Sequence, residues 1–428
     1  MERDAIRMCE LLVGLPEVRV LGVAAGPPLL IEVETTTDLT GCPACGSIPI
    51  GKGRRVVELV DLPAFGRSTR LRWRKRRWRC AEPDCPQRSW TEEDRRIAAP
   101  RMAMSDRAGR WATLEVGRWG RSVNEVADAL GCDWHTVNDA VIAYGSALVD
   151  DPERFGDVEA LGLDEVLFVR RGHWHRPEFS TSIVDVATGQ LLDVVPGRGG
   201  TEPKAWIVAR SPAWRANVRF ATLDLSSSYR SVFTSVLPHA TQIADPFHLV
   251  RLANAKLDEC RRRVQNELFG HRGRKGDPLY RCRRLLTKAE ERLSDDGRDR
   301  LLGLLRAGDP KGDVTAAWHA KEAIRELYAH GDEELAIEWI ERLIVDMSDK
   351  TWPVEVRSLG RTLSRWNHEI VAWHRAHFTN GPTEAANNLI KRVKRVAFGF
   401  TSFRNYRVRS LLYAGKPNWS LLETVSPR

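Results

Sequence analysis

Apolar positions along the chain change their period in three broad regimes. Between 157 and 253 they come in short, dense runs: 158–169, 178–187, 190–195, 217–223 and 240–244 read as strands, with helix-like stretches at 201–210, 226–236 and from 246 onward. Three strands in succession, then alternating helices and strands, predict a mixed sheet with helices on its faces. From 254 to 378 the strand pattern vanishes and Arg, Glu, Leu and Trp recur at helical spacing, which predicts an all-helical insertion or second domain. Upstream, Ile6 to Leu15 reads as a helix and Leu29 to Val33 as a strand.

Residues 101–150 predict a compact helical unit. Ser122 with Glu125 three residues on is a capping box, and Gly131 makes a turn. Val137, Ala140 and Val141 supply the inward stripe of the second helix. Trp134, His135 and Asn138 then face outward, where a recognition helix meets a DNA major groove. A plain helical hairpin carries the same pattern. Near the C-terminus, Gly381 as cap and Pro382 as first helical residue start a helix with Glu384 in its first turn. Its polar face carries Asn388, Lys391 and Arg395, with Leu389, Val393 and Val396 opposite. The tail from Phe398 to Arg409 is basic and aromatic.

Charge and cysteine content sharpen this picture. Of 428 residues, 66 are Lys or Arg and 57 Asp or Glu, a net charge of +9 that favours an anionic partner, nucleic acid ahead of a membrane surface. With no apolar run of membrane-spanning length and no signal peptide at the start, a cytoplasmic protein is expected. In that reducing compartment cysteines serve metals better than disulfides. Cys42 and Cys45, with Cys80 and Cys85, form two knuckles able to hold one structural Zn²⁺. Seven of the ten residues from Arg70 to Arg79 are basic. Arg72, Arg74, Lys75, Arg76 and Arg77 would track phosphates, with the interleaved Trp against sugar or base. The alternative is an exposed ribbon strand with Leu71 and Trp73 facing in.

Three carboxylates far apart in sequence carry the candidate chemistry. Asp164 lies within a buried strand, Asp224 follows a strand ending at Leu223, and Glu384 opens a helix. Hard cations such as Mg²⁺ or Mn²⁺ take carboxylate oxygens, and two ions held together can drive an in-line phosphoryl displacement. Asp164 would bridge both ions, with Asp224 and Glu384 each closing one. Each acid also has a structural alternative: Asp224 could cap the helix starting near Ser226, and Glu384 suits a first helical turn. Asp245, before Pro246, is expected to cap a helix, with His248 one turn later able to reach the site.

The order of these parts resembles the ISL-three family of bacterial insertion-sequence transposases, of the acidic-triad (DDE) type. The resemblance rests on the four cysteines, the helical unit, Gly162-Leu-Asp164-Glu165, Asp224-Leu-Ser-Ser-Ser-Tyr229, Asp245-Pro-Phe-His-Leu-Val250 and Asn380-Gly-Pro-Thr-Glu384 with Asn387, Asn388, Lys391 and Arg395. It implies an α+β multidomain protein: a zinc-binding ribbon (39–100) after an N-terminal segment (1–38), then a helix-turn-helix (101–150). An RNase H-like catalytic core (151–253, resuming at 381–428) would follow, interrupted by a helical insertion (254–380). The triad carried over is Asp164, Asp224 and Glu384. The implied activity is metal-dependent cleavage and joining of double-stranded DNA at terminal inverted repeats and at target DNA, by a homodimer or higher oligomer associated with the nucleoid. Two alternatives stay open: a DNA-binding regulator with an inactive core, and an RNase H-like nuclease indifferent to the end sequence.

Overall fold

The computed structural model describes residues 2–36, 41–329, 331–425 and 427; the expected boundary at 38/39 lies outside them. Contacts divide the chain into two compact units, residues 1–156, 168–177 and 387–428 in one, and 157–167 and 178–386 in the other.

The first unit begins with α1 (Ala5–Val13), β1 (Val18–Ala24), β2 (Leu29–Thr35), β3 (Ile50–Ala64), β4 (Arg67–Arg79) and β5 (Ser89–Thr91). The sheet order is β1-β2-β4-β3, with β5 beside β4. Strands β2 and β4 pair in parallel, so the segment expected to stand alone before residue 38 shares one sheet with the cysteine-bearing region. Apolar residues of β4 alternate inward: Leu71 and Trp73 are buried with Val20, Ile31, Val33 and Leu59. The intervening arginines take the opposite face, where the neighbouring strands supply acids. Arg74 lies 3.9 Å from Glu32, Arg76 3.5 Å from Glu34 and Arg70 3.9 Å from Glu58. The sheet thus partly neutralises a charge run that the sequence assigned to phosphates; Arg77 and Arg79 stay exposed.

Helices α2 (Asp106–Thr113), α3 (Val123–Leu130) and α4 (Trp134–Val149) follow, a π-turn at Leu114–Arg118 extending α2. The Ser122–Glu125 capping box forms, and Gly131 ends α3 in the left-handed region (φ 62°). Val137, Ala140 and Val141 are buried, and Trp134 and His135 exposed. Asn138 is not outward: it is buried, its Oδ1 accepting from Asn405 Nδ2 at 3.2 Å. The partner comes from a helix 267 residues on, which the local period of α4 cannot reveal.

The second unit holds a sheet ordered β10-β9-β6-β7-β8. Its strands are β6 (Ala160–Arg171, whose last four residues group with the first unit), β7 (Arg176–Asp185), β8 (Gln190–Pro196), β9 (Phe220–Leu223) and β10 (Thr241–Ala244). Strands β9 and β10 pair in parallel, as do β6 and β9, while β7 and β8 are antiparallel. Helices α5 (Thr201–Val208), α6 (Pro212–Asn217) and α7 (Ser227–Val236) connect them. The expected helical stretch is α8 (Pro246–Phe269), α9 (Pro278–Thr287), α10 (Asp295–Gly308), α11 (Asp313–Leu327), α12 (Glu333–Asp346), α13 (Val354–Val371) and α14 (Trp373–Ala376).

Helix α15 (Gly381–Val396) carries Glu384, and α16 (Phe403–Ala414) follows. Asn388, Lys391 and Arg395 are exposed as expected, but so is Leu389 at 40 %; the buried stripe is Ala386, Ile390 and Val393. From Asn387 onward the chain belongs to the first unit rather than with the rest of 381–428. There α16 crosses α4 closely: a Cβ on Gly145 would stand 2.8 Å from Leu412 Cδ1 and 3.1 Å from Val408 Cγ1. We predict that Gly145→Val costs about 1–3 kcal/mol through overpacking, seen as a fall in melting temperature.

Candidate active site and metal centre

The two aspartates are aligned by strand pairing. Gly162 pairs with Thr222 and Leu163 with Leu223 in parallel register, so Asp164 and Asp224 occupy equivalent positions immediately beyond. The buried Tyr229 hydroxyl, 3.0 Å from Thr181 Oγ1, lies within electrostatic reach of both carboxylates. Burial first, then Glu165, Asp164 and Asp224, hold that phenol above its usual range. Asp164 is half-buried, its Oδ1 accepting from the Glu165 amide at 2.7 Å.

Asp224 does not cap α7, whose N-cap position is Ser226, without a side-chain cap bond. Its Oδ1 is buried and lacks a hydrogen-bond partner. Burial raises its pKa, and the positive groups His248 and Arg251 only partly oppose that rise. An orphaned carboxylate oxygen next to a second carboxylate suits a hard divalent cation.

Glu384 reaches the same neighbourhood through His248. The Nε2 of His248 stands 3.5 Å from Glu384 Oε1, and its Nδ1 2.9 Å from Asp245 Oδ2. The Asp245 hydrogen bond raises the pKa of His248 above its ordinary value, against burial. Asp245 caps α8 and also accepts the Asn380 backbone N–H at 3.0 Å on Oδ1, which fixes the start of α15. A second contact seats that helix: a Cβ on Gly162 would lie 2.4 Å from Thr383 Oγ1. Gly162, Asn380 and Thr383 are positioning residues missed by periodicity, although all three stand in the quoted motifs.

The cysteines form the other centre. Among the described residues, Cys42, Cys45, Cys80 and Cys85 are the one group of three or more His, Cys, Asp or Glu whose ligand atoms all lie within 4.8 Å. The Asp164–Asp224–Glu384 set is wider. The Sγ atoms of Cys42 and Cys85 are 3.7 Å apart and those of Cys45 and Cys80 3.5 Å, close to the ~3.8 Å edge of a tetrahedron with Zn–S bonds of about 2.3 Å. The Ser47 hydroxyl, 3.1 Å from Cys45 Sγ, and the Ser47 amide lower the Cys45 pKa to about 6. Burial pushes Cys85 up to about 12.

Comparison with known proteins gives this geometry its context. A family model of ISL3-type DDE transposases, described as "Transposase", matches residues 161–410. The chain belongs to the ISL3 transposase family. A second model, the zinc-finger of transposases IS204/IS1001/IS1096/IS1165, matches 38–85 and includes all four cysteines; with their clustering, this supports a structural zinc site. The chain is 24 % identical over 392 residues to the transposase for insertion sequence element IS1001 of Bordetella parapertussis, covering 88 % of this chain and 89 % of that one. It is 27 % identical over 307 residues to the transposase for insertion sequence element IS1557 of Mycobacterium tuberculosis strain CDC 1551 / Oshkosh, 66 % of each chain.

Two outcomes follow. Zinc should co-purify with the chain, be absent from Cys80→Ser, and be released as pH falls and protons compete with the metal for the thiolates; a chromogenic chelator reads the release, and retention by Cys80→Ser would remove that residue from the site. Asp224→Asn should raise the melting temperature in EDTA by about 2–4 °C, the shift of ~1 kcal/mol in a unit of this size. Because the folded pKa of Asp224 is raised, its protonated form is the stabilised one. That stability is complete below the ordinary aspartate value of about 3.9 and is lost as pH rises through the folded pKa. The advantage of Asn therefore grows with pH and shrinks when Mg²⁺ is added; calorimetry across pH checks both.

Proposed function

We propose that this ISL3-family protein is an insertion-sequence transposase whose catalytic carboxylates are Asp164, Asp224 and Glu384. The observation that carries the assignment is the parallel register of β6 and β9, which sets Asp164 within β6 and Asp224 after β9 side by side just past the last paired residues, Asp224 with a buried oxygen awaiting a partner. The strand order, three consecutive neighbours followed by two parallel strands on the far side of β6, supports an RNase H-like core with α8 to α14 as its insertion.

Asp164, Asp224 and Glu384 would hold Mg²⁺ or Mn²⁺. When bound, such ions supply activation of water or a 3′-hydroxyl and stabilise the departing oxygen in an in-line displacement. Asp245 orients His248, whose Nε2 stands beside Glu384 Oε1 and holds that side chain toward the aspartates.

DNA would be engaged by the zinc ribbon and by α3 and α4 acting as a helix-turn-helix. Trp134 and His135 are placed to meet bases; the exposed Arg77, Lys391 and Arg395, with Arg72, Arg74, Lys75 and Arg76 behind, meet phosphates. Bringing two terminal inverted repeats together calls for a dimer or larger assembly. Among the described residues no helix is long and apolar enough to cross a membrane; work on the chromosome would place the protein in the cytoplasm with the nucleoid.

The test is strand cleavage of a labelled duplex bearing the element's terminal repeat, with binding measured in parallel. Wild type should cut with Mg²⁺ and not in EDTA. Asp164→Ala, Asp224→Ala and Glu384→Ala should each lose at least about a thousandfold in rate, roughly 4 kcal/mol of transition-state stabilisation, while still binding. Activity surviving any one substitution removes that residue from the triad. Binding without cleavage by wild type under either metal would favour the regulator, and cleavage indifferent to the end sequence the nuclease.

A further inference from the structure

Within the first unit lies a cavity of about 340 Å³, bounded by the first turn of α3, the start of α4, the loop after α15 and the beginning of α16. It contains no carboxylate among its lining residues, and one cation, Arg409. Arg409 is 5 % exposed, and its Nε has no hydrogen-bond partner. Among the described residues no acid stands within ion-pair distance of its guanidinium; its neighbour is the Phe400 ring, 5.1 Å away. Burial alone pushes its pKa down to about 10, so it remains charged at neutral pH. An ionised group this deep without a counter-charge is costly to keep.

The surroundings also suit an anion. The first turn of α16, capped by Ser402, brings a positive helix end to the space, whereas the α3 end is already met by the Glu125 carboxylate. Asn138 and Asn405 add amide groups to its wall. At the mouth, Phe398 is 94 % exposed and held in the left-handed region (φ 53°), where bulky residues rarely sit. The turn N–H groups of Phe398 and Gly399 are tied to Arg395 and Lys394 carbonyls at 3.1 and 3.0 Å. An exposed aromatic ring on a tethered turn beside an anion-seeking cavity, with Trp134 also on its rim at 39 % exposure, has the features of a nucleotide platform.

We propose that this cavity binds a backbone phosphate of a DNA strand on Arg409, while Phe398 stacks on an unpaired base next to that phosphate. The inference rests on the transposase assignment for its DNA source; the phosphate chemistry does not.

Two arms separate the claims. In the first, inorganic phosphate is compared with chloride at equal ionic strength. Phosphate should raise the melting temperature of wild type and not of Arg409→Met, and without phosphate Arg409→Met should be at least as stable as wild type because a lone buried charge is gone. A less stable Arg409→Met with an unchanged phosphate response would make Arg409 a structural residue and overturn the site. In the second arm, affinity for the terminal-repeat duplex is measured against salt. Arg409→Met should bind about tenfold more weakly, with the slope of log K on log salt reduced by about one. Arg409→Lys should recover part of the slope, and Phe398→Ala should weaken binding without changing it. A 2-aminopurine placed beside the contacted phosphate should brighten with wild type and not with Phe398→Ala. If wild type binds and Arg409→Met matches it in affinity and slope, the cavity holds no DNA phosphate and the proposal falls while the transposase assignment stands. If wild type binds no DNA, that assignment fails and takes the DNA source with it; the phosphate arm still decides the anion site.

Discussion

A single buried carboxylate holds the candidate site together. Asp245 is 2 % exposed and uses both oxygens: one accepts the Asn380 amide, the other the His248 ring. The first bond spans 135 residues of sequence and fixes where the helix carrying Glu384 begins. The second holds the imidazole that contacts Glu384. Without it, the start of α15 would lack its tie to the end of β10, and three acids that are near one another only in the fold would lose their common frame. Loop-closure entropy grows slowly with length, so the long helical excursion between its two ends adds little to the cost of that tie.

The same frame tolerates a local loss at Asp224. A buried oxygen without a partner opposes folding, and its neighbours compensate only in part. Such a conflict between stability and local chemistry is expected where a ligand completes the site, and the tight Gly162–Thr383 contact shows how little room the scaffold leaves for relaxation.

Much of this was legible from the chain. The strand runs around Asp164 and Asp224, the helical stretch after 254, the capping box at Ser122 and the inward alternation of Leu71 and Trp73 are all local patterns, and local patterns fix local structure. The four cysteines were readable because thiolates at short spacing have few other uses in a reducing compartment. What sequence alone misjudged depended on distant partners. Asn138 reads as outward until Asn405 arrives from α16, and the arginines of β4 look unbalanced until β2 and β3 lay glutamates beside them. Leu389 looks like core by spacing because the true buried stripe, through Ala386, Ile390 and Val393, is set by what α15 packs on. The role of Gly162 is likewise invisible without Thr383 against it.

Strand β4 also sets a length. One end is tethered where Arg70 Nη1 donates to the Leu130 carbonyl at 3.2 Å, at the turn between α3 and α4. Just beyond its other end stands Cys80 of the sulfur cluster. Ten residues of extended chain cover about 33 Å. Paired along its length with β3, this stretch of strand is a strut that keeps the helical turn and the sulfur cluster from closing on each other.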